Sequence, residues 1–195
     1  MSDDDLDDRA LAARWSELRD EDAFRTLVAR HGGLMRRAAF VALGTAARRD
    51  PGIVDEAVQE ACLRLLDALR SYRGESSLAT FLAAVARRAA LDELRKGLRH
   101  RARVERATRL MVVSDARSGD PAAAVELGVA AEGILAQLSR LPEPDRSLLY
   151  LRDAEGMKVR DLAEAFGLPE GTIKSKLARG RARIRESATS DWGTT

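Results

Sequence analysis

MKVRDLAEAFGLPEGTIKSKLARGRARI, residues 157–184, decides how this chain is read. Val159, Leu162, Ala163 and Phe166 give a first short helix one apolar face, and Gly167 permits a turn that a side chain would make costly. Pro169 fits the first position of a second helix, where Glu170 complements the positive end. At 100° per residue Ile173, Leu177, Gly180 and Ile184 fall within about 40° of one another and should pack inward. Thr172, Lys174, Ser175, Arg179, Arg181, Arg183 and Arg185 cover the other side. Two short helices meeting at a glycine, the second with more positive charge than a core needs, form a helix-turn-helix pattern suited to a DNA major groove. Basic side chains there neutralise phosphates, and Lys174 or Arg179 is placed to reach guanine acceptor edges. A plain amphipathic hairpin is the competing reading of the same residues.

Working outward, the composition favours helix over sheet: Ala, Leu, Arg and Glu dominate, and aromatic residues make up only 4% of 195 positions. No stretch has the length and apolarity of a membrane span, so no membrane insertion is expected. The acidic N-terminus lacks the basic and apolar regions of a signal peptide, and a cytoplasmic location is expected. Cys62 is the single cysteine and no Cys/His cluster has ligand spacing, so neither disulfide, metal nor cofactor is expected. The net charge of +2 hides an uneven distribution. Residues 1–22 hold nine acids against three arginines, residues 87–109 nine Lys/Arg against three acids, and residues 170–186 six against two. Two separated basic patches point to two contacts with a polyanion.

The expected architecture is all-α: two small helical domains joined by a flexible linker, the C-terminal one carrying the helix-turn-helix. Residues 1–21 read as an acidic tail and the start of the first helix, 22–98 as the first domain, 99–121 as the linker, 122–187 as the second domain and 188–195 as a tail. In the helix from Glu56 to Leu69, Val58, Ala61, Cys62, Leu65 and Leu69 form a core stripe. Its opposite face presents Glu56, Gln59, Glu60 and Asp67 around Leu63, and an apolar residue within an acidic face hints at a protein partner. The next helix should start at Ser76 or Ser77, either a good cap, and run to about Lys96, burying Leu78, Phe81, Leu82, Val85 and Ala89. Arg87, Arg88, Arg95 and Lys96 crowd its C-terminal half, partly for the helix dipole.

DEAVQEACLRLLDALRSYRGESSLATFLAAVARRAALDELRK (residues 55–96), followed by LSRLPEPDRSLLYLRDAEGMKVRDLAEAFGLPEGTIKSKLARGRARIRE (residues 138–186), resembles the extracytoplasmic-function group of bacterial sigma factors. The first string is similar to the group's region 2 and the second to its region 4. The resemblance implies a dissociable, non-catalytic subunit that gives RNA polymerase its promoter choice. It matches Glu56, Gln59, Glu60, Leu63 and Arg64 to the helix that docks on the clamp helices of the core polymerase's largest subunit. It matches Tyr72, Ser76, Ser77, Thr80, Arg87, Arg88 and Arg95 to the part that opens the minus-ten element and holds the exposed non-template strand. Thr172, Lys174, Ser175, Lys176, Arg179, Arg181 and Arg183 match the recognition helix for the minus-thirty-five element in double-stranded promoter DNA. An anti-sigma factor is a further implied partner.

The sequence departs from the group's pattern in places. Glu56 stands where Asp is usual, Cys62 where Phe is usual, and Leu66 and Phe81 where Trp is usual. Arg88 occupies a position often held by Asn, so no minus-ten base preference carries over. Two other classes compete with this one. A helix-turn-helix regulator independent of core polymerase shares the C-terminal half, but gives no reason for an acidic docking face beside a basic helix. An enzyme finds little support: His31 and His100 lie far apart, Cys62 is on a buried stripe, Asp92 and Glu93 diverge on a helix, and no phosphate-binding loop is present.

Overall fold

The structure is a computed structural model that describes the backbone of residues 7–108 and 136–191 and the side chains of residues 7–100 and 136–187. Aspartates start its first two helices. The Asp7 carboxylate accepts from the Ala10 amide at 2.7 Å and opens α1 (Asp8–Leu18). Asp20 accepts from the Asp22 and Ala23 amides and opens α2 (Glu21–Leu43). Each satisfies amides that the helix itself leaves unpaired, and places negative charge at its positive end. The Ala23 amide, with Arg14 beside it, holds the Asp20 carboxyl below the usual carboxylate range.

The segment read as a tail and the start of a helix therefore holds a complete helix. Leu11, Ala12 and Trp15 of α1 are buried. The Trp15 indole N–H donates to the Leu66 carbonyl at 3.2 Å, and its ring lies 4.8 Å from that of Phe24. Much of the N-terminal acidity is thus structural: Asp7 and Asp20 cap helices, and Asp8 pairs with Arg30 at 2.7 Å and His31 at 2.8 Å.

After the short α3 (Thr45–Arg49) come α4 (Gly52–Ala68), one 3-10 turn (Leu69–Ser71) and the long α5 (Leu78–Thr108). Helices α2, α4 and α5 pack against one another. Their contact surfaces are rich in buried alanine: Ala38, Ala39 and Ala42 on α2, Ala57 and Ala61 on α4, Ala83, Ala86, Ala89 and Ala90 on α5. Small side chains allow the axes to approach closely, and Leu27, Met35, Leu65 and Leu82 fill the space between them. The buried stripe of α4 is Val54, Ala57, Ala61 and Leu65, continued by Leu69, with Val58 and Cys62 half-buried at its margin. It is rotated toward Ala57 relative to the expected stripe, because α2 and α5 flank α4 together.

Ser77 caps α5 as expected, its hydroxyl accepting from the Thr80 amide at 3.2 Å. The helix does not end near Lys96 but continues to Thr108, taking in the first part of the segment read as a linker. Gly97 alone costs about 1 kcal/mol relative to alanine, too little to stop a helix flanked by good formers and by the pairs Arg95–Asp92 and Lys96–Glu93. The rest of that linker, residues 122–135, and the two chain ends at 1–6 and 192–195 lie outside the described residues.

The C-terminal group consists of a helical turn at 136–138, then α6 (Asp145–Asp153), α7 (Val159–Phe166) and α8 (Glu170–Asp191). Leu148, Leu151, Leu162 and Ile173 form its centre, each almost wholly buried. Gly167 ends α7 in the left-handed region at φ 63°, and the Leu168 amide returns to the Ala163 carbonyl at 2.9 Å. Pro169 sits one residue earlier than expected: it precedes α8, and its carbonyl accepts from the Thr172 and Ile173 amides at 2.9 and 3.1 Å. Among the described residues there is no strand. The two groups touch, α2 against α6 and α5 against α7.

The alanine-lined seam yields a contrast between two leucines. Leu82→Ala, at a site 1% exposed, should cost about 2–5 kcal/mol in urea denaturation followed by circular dichroism. Leu63→Ala, at 62% exposed, should change stability by no more than about 0.5 kcal/mol.

Candidate nucleic-acid interface

Three surfaces gather the residues singled out above. On α8, Ile173, Leu177 and Gly180 are buried and Ile184 half-buried, so the helix presents the face its periodicity requires. A Cβ added at Gly180 would meet the Leu149 and Leu141 side chains at 3.6–3.9 Å, which is ordinary contact. Gly171, Ser175, Ala178 and Ala182 run down the middle of the outward face, and all are exposed or half-exposed. At 100° per residue Thr172, Arg179 and Arg183 flank that strip on one side, and Lys174, Arg181 and Arg185 on the other. A narrow, small-residue ridge with cations along both edges can enter a groove and neutralise phosphates on both walls. Ser175 and the cations stand out in the sequence, whereas Gly171, Ala178 and Ala182 do not, because their signal is size rather than charge.

The cations are held to different degrees. Lys176 is half-buried and ties α8 to Asp145 at the start of α6, with Nζ to Oδ1 at 2.8 Å. Arg181 forks onto both oxygens of Asp153 at 3.0 and 2.6 Å. Lys174 has only a loose contact with Glu170 at 3.5 Å. Arg179 and Arg183 are exposed and enter no salt bridge among the described residues. Ready anion contacts therefore concentrate at Lys174, Arg179 and Arg183, whereas Lys176 and Arg181 also brace the helix.

On α4, Glu56, Gln59, Leu63 and Asp67 are exposed together. Glu60 and Arg64 are half-buried and serve a structural purpose: Arg64 donates to Glu60 at 2.9 Å and to Asp92 on α5 at 2.7 Å. The Arg64 hydrogen bond is the main reason the Asp92 carboxyl lies below its usual range. The surface left open to a partner is a small acidic field centred on Leu63.

The third surface, the Tyr72–Ser77 loop and α5, is covered at Ser76, Thr80 and Arg87 and open at Arg73, Gly74, Glu75 and Ser77. The Tyr72 hydroxyl donates to the Ser76 carbonyl at 2.6 Å, and its ring lies 5.1 Å from Phe81. Ser76 is buried, and Thr80 is fully buried with its hydroxyl 2.8 Å from that of Ser77. Arg87 donates to Glu143 at 3.0 Å and lies 4.5 Å from the centre of the Phe166 ring, both partners coming from the C-terminal group. Arg88 and Arg95 are exposed, with Arg95 paired to Asp92 at 2.7 Å. The sequence places these residues on one stretch of chain, but not on one open face. Among the described residues no cluster of His, Cys, Asp or Glu could hold a metal ion. No described helix is long and apolar enough to cross a membrane.

Residues 27–100 match the family described as sigma-70 region 2, and residues 131–184 match sigma-70, region 4. The chain is 31% identical over 165 residues to the ECF RNA polymerase sigma factor SigM of Mycobacterium tuberculosis strain H37Rv, covering 85% of this chain and 76% of that protein. It is 29% identical over 184 residues to the ECF RNA polymerase sigma-E factor of Haemophilus influenzae, covering 92% and 94%. Among solved structures, CnrH in complex with the cytosolic domain of CnrY is similar at TM-score 0.63 and 23% identity, over 96% of this chain and 99% of that one. The sigma factor RpoE with the anti-sigma factor NepR from Bartonella quintana is similar at TM-score 0.59 and 22% identity, over 86% and 98%. At those identities the structural likeness is one of fold.

The Arg64–Asp92 bridge carries a pH prediction. A carboxyl held below its unfolded value stabilises the fold fully above that value, near pH 4, and the contribution is lost as pH falls through the lower folded value. Denaturation midpoints between pH 7 and pH 3 should therefore fall less steeply for Asp92→Asn than for the wild type.

Proposed function

The chain belongs to the extracytoplasmic-function group of the sigma-70 family, and from that premise we propose how its surfaces share the work of an alternative sigma factor. Such a subunit binds core RNA polymerase, recognises the minus-ten and minus-thirty-five promoter elements and starts transcription. Bond formation belongs to the polymerase, so this chain acts without catalysis of its own. Its place of work is the cytoplasm, where the template is.

The field of Glu56, Gln59 and Leu63 is assigned to the clamp helices of the polymerase's largest subunit. An apolar residue ringed by acids suits a basic, partly apolar partner, and charge there speeds encounter as well as holding the complex. The two cationic edges of α8 are assigned to the phosphate walls of the minus-thirty-five element, its small central residues lying toward the groove floor. The Tyr72–Ser77 loop with Arg87, Arg88 and Arg95 is assigned to the minus-ten element and the exposed non-template strand. The two fold neighbours were each captured with a partner, one of them an anti-sigma factor, and an anti-sigma factor is proposed as a partner here too.

The observation that carries this reading is that regions 2 and 4 both match, in order, while α8 keeps its cations on the two edges of its outward face. Run-off transcription with core polymerase and a promoter library tests it. The expected result is a set of transcripts from templates that share two spaced elements. DNA binding with no effect on core polymerase would favour a free-standing helix-turn-helix regulator instead.

Two variants separate the surfaces. Glu56→Lys with Gln59→Lys should weaken core polymerase binding by at least about tenfold in a fluorescence-anisotropy titration. Lys174→Ala with Arg179→Ala should abolish promoter selectivity in run-off assays and lower the salt slope of DNA binding by about 2.

A further inference from the structure

The sequence gathers cations between residues 87 and 109, and the surfaces assigned above use only part of them. Arg87 turns to Glu143, Arg95 to Asp92 and Lys96 to Glu93. Arg88 and Arg99 are exposed and make no salt bridge among the described residues. At 100° per residue Arg88, Arg95 and Arg99 fall within about 40° of one another, so one face of α5 carries cations for about 16 Å. The helix dipole favours cations only in the last turn, and α5 runs on from Arg99 to Thr108. The dipole therefore does not account for Arg99.

The fold brings two more arginines to this end of the first group. α3 closes on Arg48 and Arg49, both exposed and both outside any salt bridge among the described residues. A hollow lined by Leu43, Arg49, Ile53, Leu94, Gly97 and Leu98 sets the end of α3 beside α5, one residue from Arg99. With five residues α3 has a pole too weak to require a pair of arginines. Asp50 does not neutralise them. One of its carboxylate oxygens lies 3.3 Å from where a Cβ on Gly52 would stand, at the start of α4. Cations gathered without carboxylates repel one another, and a polyanion laid across them removes that cost.

We propose that Arg48, Arg49 and Arg99 form a further DNA site, which holds the phosphates of double-stranded DNA without reading its bases. The cationic face of α5 from Arg88 to Arg99 is as long as about five base pairs. Arg88 and Arg95 belong to the surface assigned to the minus-ten element. From there the chain leads toward the group assigned to the minus-thirty-five element, so the DNA met at Arg99 is the duplex upstream of the minus-ten element. That position rests on the proposed function, whereas the phosphate site itself does not. An acidic protein segment is the competing occupant, and continuity with the DNA face of α5 favours the duplex.

Two triple variants test the site in the full-length chain: Arg48→Gln, Arg49→Gln and Arg99→Gln together, and the same positions as Arg48→Lys, Arg49→Lys and Arg99→Lys. Circular dichroism reads helix content. Fluorescence anisotropy reads binding to a mixed-sequence duplex of about 30 base pairs across a salt series. The glutamine variant should bind at least about tenfold more weakly at low salt, with a salt slope smaller by about 2 to 3. The lysine variant should match the wild type, because a phosphate contact of this kind needs the charge and not the fork. Affinity for core polymerase should be unchanged in both. With core polymerase bound, the glutamine variant should lose affinity for a promoter template whose duplex extends upstream of the minus-ten element. It should equal the wild type on a template whose duplex stops at that element. An unchanged salt slope overturns the site, and lost affinity for core polymerase overturns it in favour of an acidic protein partner. Equal losses on the two templates overturn its position on the upstream duplex. If the glutamine variant loses helix content, Arg99→Gln alone decides, with an expected change in slope of about 1. A wild type that directs no promoter-specific transcription sinks the sigma-factor reading, while the duplex titration still decides the phosphate site.

Discussion

Close approach of α2, α4 and α5 over alanine is the constraint on which the rest of the molecule depends. Among the described residues, eleven buried alanines across these three helices let the axes come close. The larger apolar residues that remain must interlock in the gaps. That geometry fixes the rotation of α4 about its axis, and so decides that Glu56, Gln59 and Leu63 look outward while Ala57 and Ala61 look in. A methyl more or less in such a seam is felt along the whole helix. The charged bridge that crosses it, Arg64 to Asp92, sits where the seam meets water and adds orientation rather than bulk stability.

The same rigidity shapes the other half. α8 is anchored through Ile173, Leu177 and Gly180 and braced by Lys176 and Arg181 against the two ends of α6. Arg179 and Arg183 are left to project. With Arg181 bracing one edge and Lys176 beside the other, the helix presents its free cations to a polyanion from a fixed position. Fixing the edge in advance reduces the ordering that binding would otherwise require.

Placing charge at the ends of helices is a recurring device here. Asp7 and Asp20 close helix starts, and Arg146 closes the end of α2 from a distant part of the chain. The first two are local and hold in any arrangement of the two groups. The third exists only while the groups touch. Burial lowers the pKa of the Arg146 guanidinium, Glu143 nearby offsets part of that, and the hydrogen bonds to carbonyls replace the lost water contacts. Arg37 is pushed up by Glu155, and Glu155 is lowered by Arg37 and Tyr150 despite its burial. Those contacts belong to one conformation of the pair.

Much of the fold was legible before any coordinates, because it rests on short-range signals. The 3.6-residue period of α7 and α8, the Gly167 turn and the Ser77 cap each follow from local chemistry. So does the split of α8 into a packed and a basic side, and the pairing of an acidic helix with a basic one. Other features were decided by tertiary structure alone. Acids in the first 22 residues read as a tail until their partners, Arg30, His31 and the backbone amides, were in place. Trp15 needed Phe24 and Leu66 to become core. Thr80 and Arg87 sat on a plausible binding helix by sequence, yet one is sealed by Ser77 and the other covered by Glu143 and Phe166. Sequence determines what each segment can form, since propensity, capping and periodicity act over a few residues. Which charged group faces water and which faces a partner 56 or 118 residues away depends on how helices meet, and only the folded chain decides that.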